Sequence, residues 1–140
     1  MIQTVVDTNF LLRLVLGDIP AQTRAAVAHL SDLRLRGREA YVAAATISEV
    51  VFVLRGQVYR RTREQISHAL NEILWISAFA VGDAQVVRRA VTLYRDHHDD
   101  WDDCLVAAYA LEHAGGRVAS FDKGLDGIPG LTRAAPATGA

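Results

Sequence analysis

The stretch from Ile2 to Asn9 constrains this chain more than any other. A short apolar run with the β-branched pair Val5-Val6 ends abruptly at Asp7. Phe10, Leu11, Leu12, Leu14, Val15 and Leu16 then follow in an apolar helical pattern. Such a run reads as a buried strand, and Thr8 or Asn9 is placed to cap the helix. A strand that hands over at once to a helix predicts Asp7 at the carboxyl end of a central strand. That is the edge where open α/β sheets put their ligands. A carboxylate there is costly unless a cation or hydrogen bonds compensate it. The plainer role for Asp7 is to help start the helix, and this stretch alone leaves both roles open.

The rest of the chain repeats the alternation. Pro20 suits the first turn of a helix running from Ala21 to about Leu35, which Gly37 ends. Glu39 to Ala43 is a strand candidate, and Ala45 to Arg55 reads as a helix with Ile47, Val50, Val51 and Leu54 at helical spacing. Thr62 caps the next helix, with Gln65 placed for a capping box; that helix carries Ile66, Leu70, Ile73 and Leu74. Phe79 to Val81 is a short strand candidate, and Asp83 caps a helix that carries Val86, Val87, Ala90, Val91 and Tyr94. Cys104 to Ala114 forms a further helix, closed by Gly115-Gly116. Arg117 to Phe121 reads as a buried strand, again ending in a carboxylate, Asp122. Strands alternating with helices predict a three-layer α/β/α fold with a central, mainly parallel sheet and right-handed crossovers. One domain is expected over residues 1–133, with a frayed tail from Ala134 to Ala140.

Composition narrows the function classes. Of 140 residues, 51% are hydrophobic and 22% charged, which is globular rather than disordered. Apolar runs are broken well before spanning length, so no transmembrane helix is expected. Asp7 interrupts the first apolar segment too early for a signal peptide. The lone Cys104 excludes an internal disulfide and fits a reducing cytoplasm. A net charge of −1 argues against broad, non-specific coating of nucleic acid. It leaves room for a local arginine surface, and Arg60, Arg61 and Arg63, beside Tyr59, are the candidates for phosphate contact and base stacking. A solvated turn between helices explains the same residues equally well.

In a parallel α/β sheet the carboxyl ends of the strands share one edge. Asp7 and Asp122 arrive there directly, and Asp103 can reach it from the first turn of its helix. Glu49 could reach it from the helix after the second strand candidate; otherwise it is an ordinary solvent-facing glutamate. Four carboxylates in one pocket raise one another's pKa, and a divalent cation removes the conflict. All-oxygen ligands select Mg²⁺ or Mn²⁺, whereas zinc prefers His and Cys. His97 and His98 are adjacent and not spaced for joint chelation, so they read as surface histidines. Cys104 has acidic neighbours, which disfavours a reactive thiolate.

Four motifs occur in order: Val6-Asp7-Thr8-Asn9, Ser48-Glu49, Asp102-Asp103-Cys104-Leu105-Val106-Ala107-Ala108, and Ser120-Phe121-Asp122-Lys123. Together they resemble a PIN domain and, more narrowly, the VapC toxins of bacterial toxin–antitoxin pairs. The likeness covers almost the whole chain. It implies that Asp7, Glu49, Asp103 and Asp122 are the catalytic acids, with Asp7, Asp103 and Asp122 holding the metal. Asn9 matches the polar residue that supports the first acid. Ser120 stands where the family commonly has Thr and keeps its hydroxyl. Asp100 and Asp126 match no assigned position. The resemblance further implies a cytoplasmic, Mg²⁺-dependent endoribonuclease, a homodimer, and a cognate antitoxin that blocks the pocket.

Rival readings fare worse. A haloacid-dehalogenase-like site needs a second acid two residues after the first, where this chain has Asn9. A receiver-like phosphoacceptor needs an acidic pair beside the first strand end. A dinucleotide binder needs a Gly-rich loop after a strand. The non-enzyme alternative is a catalytically silent PIN-like module that binds RNA or protein without cutting.

Overall fold

In the computed structural model, residues 1–138 are described. Their elements run β1 (Ile2–Val5), α1 (Thr8–Leu16), α2 (Pro20–Leu35), β2 (Glu39–Val42), α3 (Ala44–Arg55), α4 (Arg63–Trp75) and β3 (Phe79–Val81). These are followed by α5 (Ala84–Asp96), α6 (Trp101–His113), β4 (Arg117–Ala119), a 3₁₀ helix (Lys123–Gly127) and β5 (Thr132–Ala134). The chain forms two compact units, Met1–Ala84 and a second beginning at Gln85. None of the helices is long and apolar enough to cross a membrane, among the described residues.

In the first unit β1, β2 and β3 form one parallel sheet in that order, with Val5 opposite Tyr41 and Tyr41 opposite Ala80. Helices lie on both sides, which gives the α/β class expected from the alternation of elements. One expectation is corrected: β1 is an edge strand, and β2 takes the centre. Hydrogen bonding continues one residue past β1, where the Val6 N–H donates to the Tyr41 carbonyl at 3.0 Å. Val6 is buried, whereas Val5 remains 70% exposed. The β-branched pair thus specifies extended backbone but does not bury both side chains. Leu11, Leu33, Val42, Ile47, Val50, Leu54, Ile66 and Leu70 fill the core of this unit. Apart from Val42, which lies in β2, they are the inward positions of the helical patterns, so their burial follows the 3.6-residue period.

The second unit pairs β4 with β5, parallel, with Val118 opposite Arg133. Parallel neighbours require a long connection, here the segment from Ser120 to Leu131 containing the 3₁₀ helix. Sequence reasoning missed β5 and began the tail at Ala134, which instead pairs with Ala119. Residues 139 and 140 of that expected tail lie outside the described residues. α6 packs on β4. The turn between them uses Gly115 and Gly116 at positive φ, 59° and 82°, where a side chain would be strained. Val87, Val91, Tyr94, Trp101, Cys104 and Ala107 are buried. The Tyr94 and Trp101 rings meet edge to face, centroids 5.8 Å apart.

Local chemistry decides the helix starts. Thr62 and Gln65 form the anticipated capping box, with reciprocal bonds of 3.1 Å to the Gln65 N–H and 2.9 Å to the Thr62 N–H. α1 is capped by Asp7 itself, not by Thr8 or Asn9. α6 begins at Trp101, ahead of the expected Cys104, because the Asp100 carboxylate caps it. Asp83 precedes α5 with φ of 50°, left-handed rather than the extended conformation usual for a cap.

Candidate functional site

In the first unit, Asp7 leaves the carboxyl end of β1 with extended backbone, and its Oδ1 accepts a hydrogen bond from the Phe10 N–H at 2.9 Å. Asp7 therefore starts the helix from a strand end, the plainer of the two roles that the sequence left open. With Asn9, Phe10, Arg13, Gln22 and Ala26 it lines a cleft of about 330 Å³. Asp7 and Asn9 are exposed there. Glu49 is also exposed, on α3, while Ile47, Val50, Val51 and Leu54 of that helix are buried. α3 leaves the carboxyl end of β2 directly beside β1, and α3 packs on α1. Asp7 and the beginning of α3 thus share one sheet edge. Glu49 lies about 7–8 Å along α3 from its first residue, at 1.5 Å per residue.

Arg13 escaped notice in the sequence, although an arginine inside a leucine-rich helical run was the available signal. Its Nη1 lies 3.6 Å from Asp18 Oδ1, and its side chain is 16% exposed. Its Nε is buried without a hydrogen-bond partner.

In the second unit, Asp103 sits in the first turn of α6, and its N–H donates to Asp100 Oδ1 at 3.0 Å. Asp100, without a role from sequence, is therefore the cap that sets where Asp103 begins. Asp102 is exposed, whereas Asp103 is half-buried and its Oδ2 lies 3.0 Å from His98 Nε2. His98 is thus not simply a surface histidine. The five-residue separation falls across a loop and a helix start, so helical spacing rules could not reveal the pair. His97 is exposed.

Asp122 follows β4 and caps the 3₁₀ helix, its Oδ1 accepting from the Gly124 N–H at 2.8 Å. Ser120 Oγ accepts from the Asp122 N–H at 2.9 Å. From Asp103 to the end of α6 is about 15 Å of helix. From Arg117 to Asp122 is about 17 Å of extended chain. α6 and β4 pack together after a tight turn, so the chain reverses direction between Asp103 and Asp122. Asp126 pairs with Arg133, at 2.8 Å to Nε and 3.3 Å to Nη2. That hydrogen bond holds the Asp126 carboxyl below its ordinary value and raises the guanidinium.

Arg60 and Arg61 are exposed, and Arg63 opens α4. Arg60 has a left-handed backbone with φ of 47°, and its Nε donates to the Gln57 carbonyl at 3.1 Å. Arg61 borders a cleft of about 370 Å³ together with Glu64 and Glu72.

Asp7 and Glu49 belong to the first unit, Asp103 and Asp122 to the second. No group of three or more His, Cys, Asp or Glu side chains is set to hold a metal ion among the described residues. Taken by type alone, carboxylates are the ligands a hard divalent cation prefers, while Cys104 is buried and His98 Nε2 is engaged with Asp103.

No curated protein and no solved structure matches the chain. A family model, the PIN domain, matches residues 4–131. That span runs from β1 to just before β5 and contains all four acids together with Asn9 and Ser120. The chain belongs to the PIN domain family.

Proposed function

We propose that this chain is a Mg²⁺-dependent endoribonuclease, with Mn²⁺ as a substitute, and the toxin of a type II toxin–antitoxin pair. PIN domains are commonly nucleases that act on RNA or DNA and generally use divalent metal ions. The observation that carries the reading is the placement of the acids. Asp7 and Asp122 each follow a strand and cap the next helix, and Asp103 lies in the first turn of α6. Helix starts hold carboxylates in fixed orientation through backbone N–H groups and a favourable dipole.

On the resemblance to the family, Asp7, Asp103 and Asp122 would be the acids that hold the cation and Glu49 the fourth catalytic acid. When bound, the cation lowers the pKa of water and polarises the scissile phosphodiester. Asp7 orients the attacking water, Asn9 supports Asp7, and Ser120 fixes the Asp122 backbone. Arg60, Arg61 and Arg63 guide the strand through its phosphates without neutralising the acids. The toxin role, the cognate antitoxin and the homodimer rest on the resemblance of the four motifs to VapC proteins. Trp75, 82% exposed, and Leu35, 85% exposed, offer apolar surface for such partners.

The test is cleavage of a pooled structured RNA with Mg²⁺ or Mn²⁺ against EDTA, with Asp103→Asn alongside. Metal-dependent cutting by the parent, lost in the variant, supports the proposal. A folded parent that binds the metal and RNA yet cuts nothing identifies a silent binding module instead.

A further inference from the structure

His98 is held as closely as the acid it faces. Its N–H donates to the Leu93 carbonyl at 3.0 Å, and its own carbonyl accepts from Cys104 Sγ at 3.4 Å. Cys104 is buried in α6, directly after Asp103, so the His98 backbone is anchored both to α5 and to α6. The imidazole is only 19% exposed, and its Nε2 reaches Asp103 Oδ2 at 3.0 Å. Asp103 is meanwhile fixed through its backbone by Asp100. A half-buried carboxylate anchored at both its backbone and one oxygen has little rotamer freedom left.

We infer that His98 is a positioning residue: by donating from Nε2 to Asp103 Oδ2 it fixes the carboxylate so that Oδ1 alone is presented to a divalent cation. This rests on the proposed carboxylate–metal site. A ligand held in advance loses less rotamer entropy when the cation binds, and hydrogen-bond partners of ligands typically affect metal affinity by about 10–100-fold. The histidine acts through Asp103: its Nε2 faces the carboxylate and donates to it.

The experiment is calorimetric titration of the whole chain with Mn²⁺, at one fixed pH. Gln and Met share a shape and differ in the donor, and the Gln amide nitrogen can stand where Nε2 stands. His98→Met should weaken Mn²⁺ binding by about 10–100-fold, while His98→Gln stays within a few-fold of the parent. His97→Gln, at the exposed neighbour, should match the parent. If His98→Met melts early, His98→Asn, whose amide stops one bond short, replaces it with the same expected loss. Parent-like binding by the donor-deficient variant, with Asp103→Asn weakened, overturns the inference. Equal weakening by Gln and Met also overturns it, since the donor then does not matter. Parent-like binding by Asp103→Asn removes the metal site on which it rests.

Discussion

Asp7 accepts from the Phe10 N–H and therefore starts α1 whatever chemistry it also performs. Asn caps a helix about as well as Asp, so substitution can separate the two duties. Asp7→Asn should leave the thermal midpoint within a few degrees of the parent yet reduce RNA cleavage. The loss should exceed the roughly 10–100-fold cost typical of removing a ligand's hydrogen-bond partner. Asp7→Ala should lose the same activity and also about 1 kcal/mol of stability with the cap. Denaturant melts beside single-turnover cleavage decide between these outcomes; an active Asp7→Asn would take Asp7 out of the site. Gly116 presents a contrasting case, a residue that matters only through its backbone. At φ of 82° it allows the return from α6 to β4, and an added Cβ would run into the Gly130 carbonyl. Gly116→Ala should therefore destabilise by more than about 1 kcal/mol, in a urea melt, without any direct effect on cation affinity.

The elements differ in how much of them could be read in advance. The Thr62–Gln65 box was legible because its information is local: two residues three apart, followed by an apolar run. Thr62→Ala should cost about 1 kcal/mol and shift the urea midpoint without changing cleavage. The buried face of α3 was legible for the same reason. β1 as an edge strand was not, since strand order is fixed by which neighbours pair and not by the strand's own residues. β5 is similarly hidden: Thr132–Ala134 has little β signal and exists by pairing with β4. The start of α6 was obscured because buried Trp101 sits among aspartates, where composition suggests a solvated loop. The four candidate acids could be named from their motifs, but Asp100 as cap and His98 as the partner of Asp103 depend on loop geometry. Arg133 ties β5 to the 3₁₀ helix through Asp126, whose carboxyl is held below its ordinary value. The stabilisation from that pair is present above the ordinary carboxylate pKa and is lost as pH falls through the lowered one. Asp126→Asn should thus lower the thermal midpoint slightly at neutral pH, and the gap from the parent should close in strong acid.

Across the whole molecule, cationic and anionic side chains nearly balance, with 15 Lys and Arg against 16 Asp and Glu. The RNA binding proposed for such a chain would have to rely on a few local phosphate contacts. Each contact contributes about −0.7 to the slope of log affinity against log salt for single strands. Arg60→Ser with Arg61→Ser should flatten that slope by at most about 1.4 and raise KM while sparing kcat. An unchanged slope would show that the strand runs elsewhere. The basic side chains are also unevenly divided by type, since Lys123 is the sole lysine. It is exposed and opens the 3₁₀ helix immediately after Asp122. Amine-directed reagents therefore find one side chain, and it adjoins a proposed metal ligand. A dye or photocrosslinker attached there, apart from any on the α-amino group, makes a fixed optical or covalent reporter beside Asp122 without introducing a cysteine.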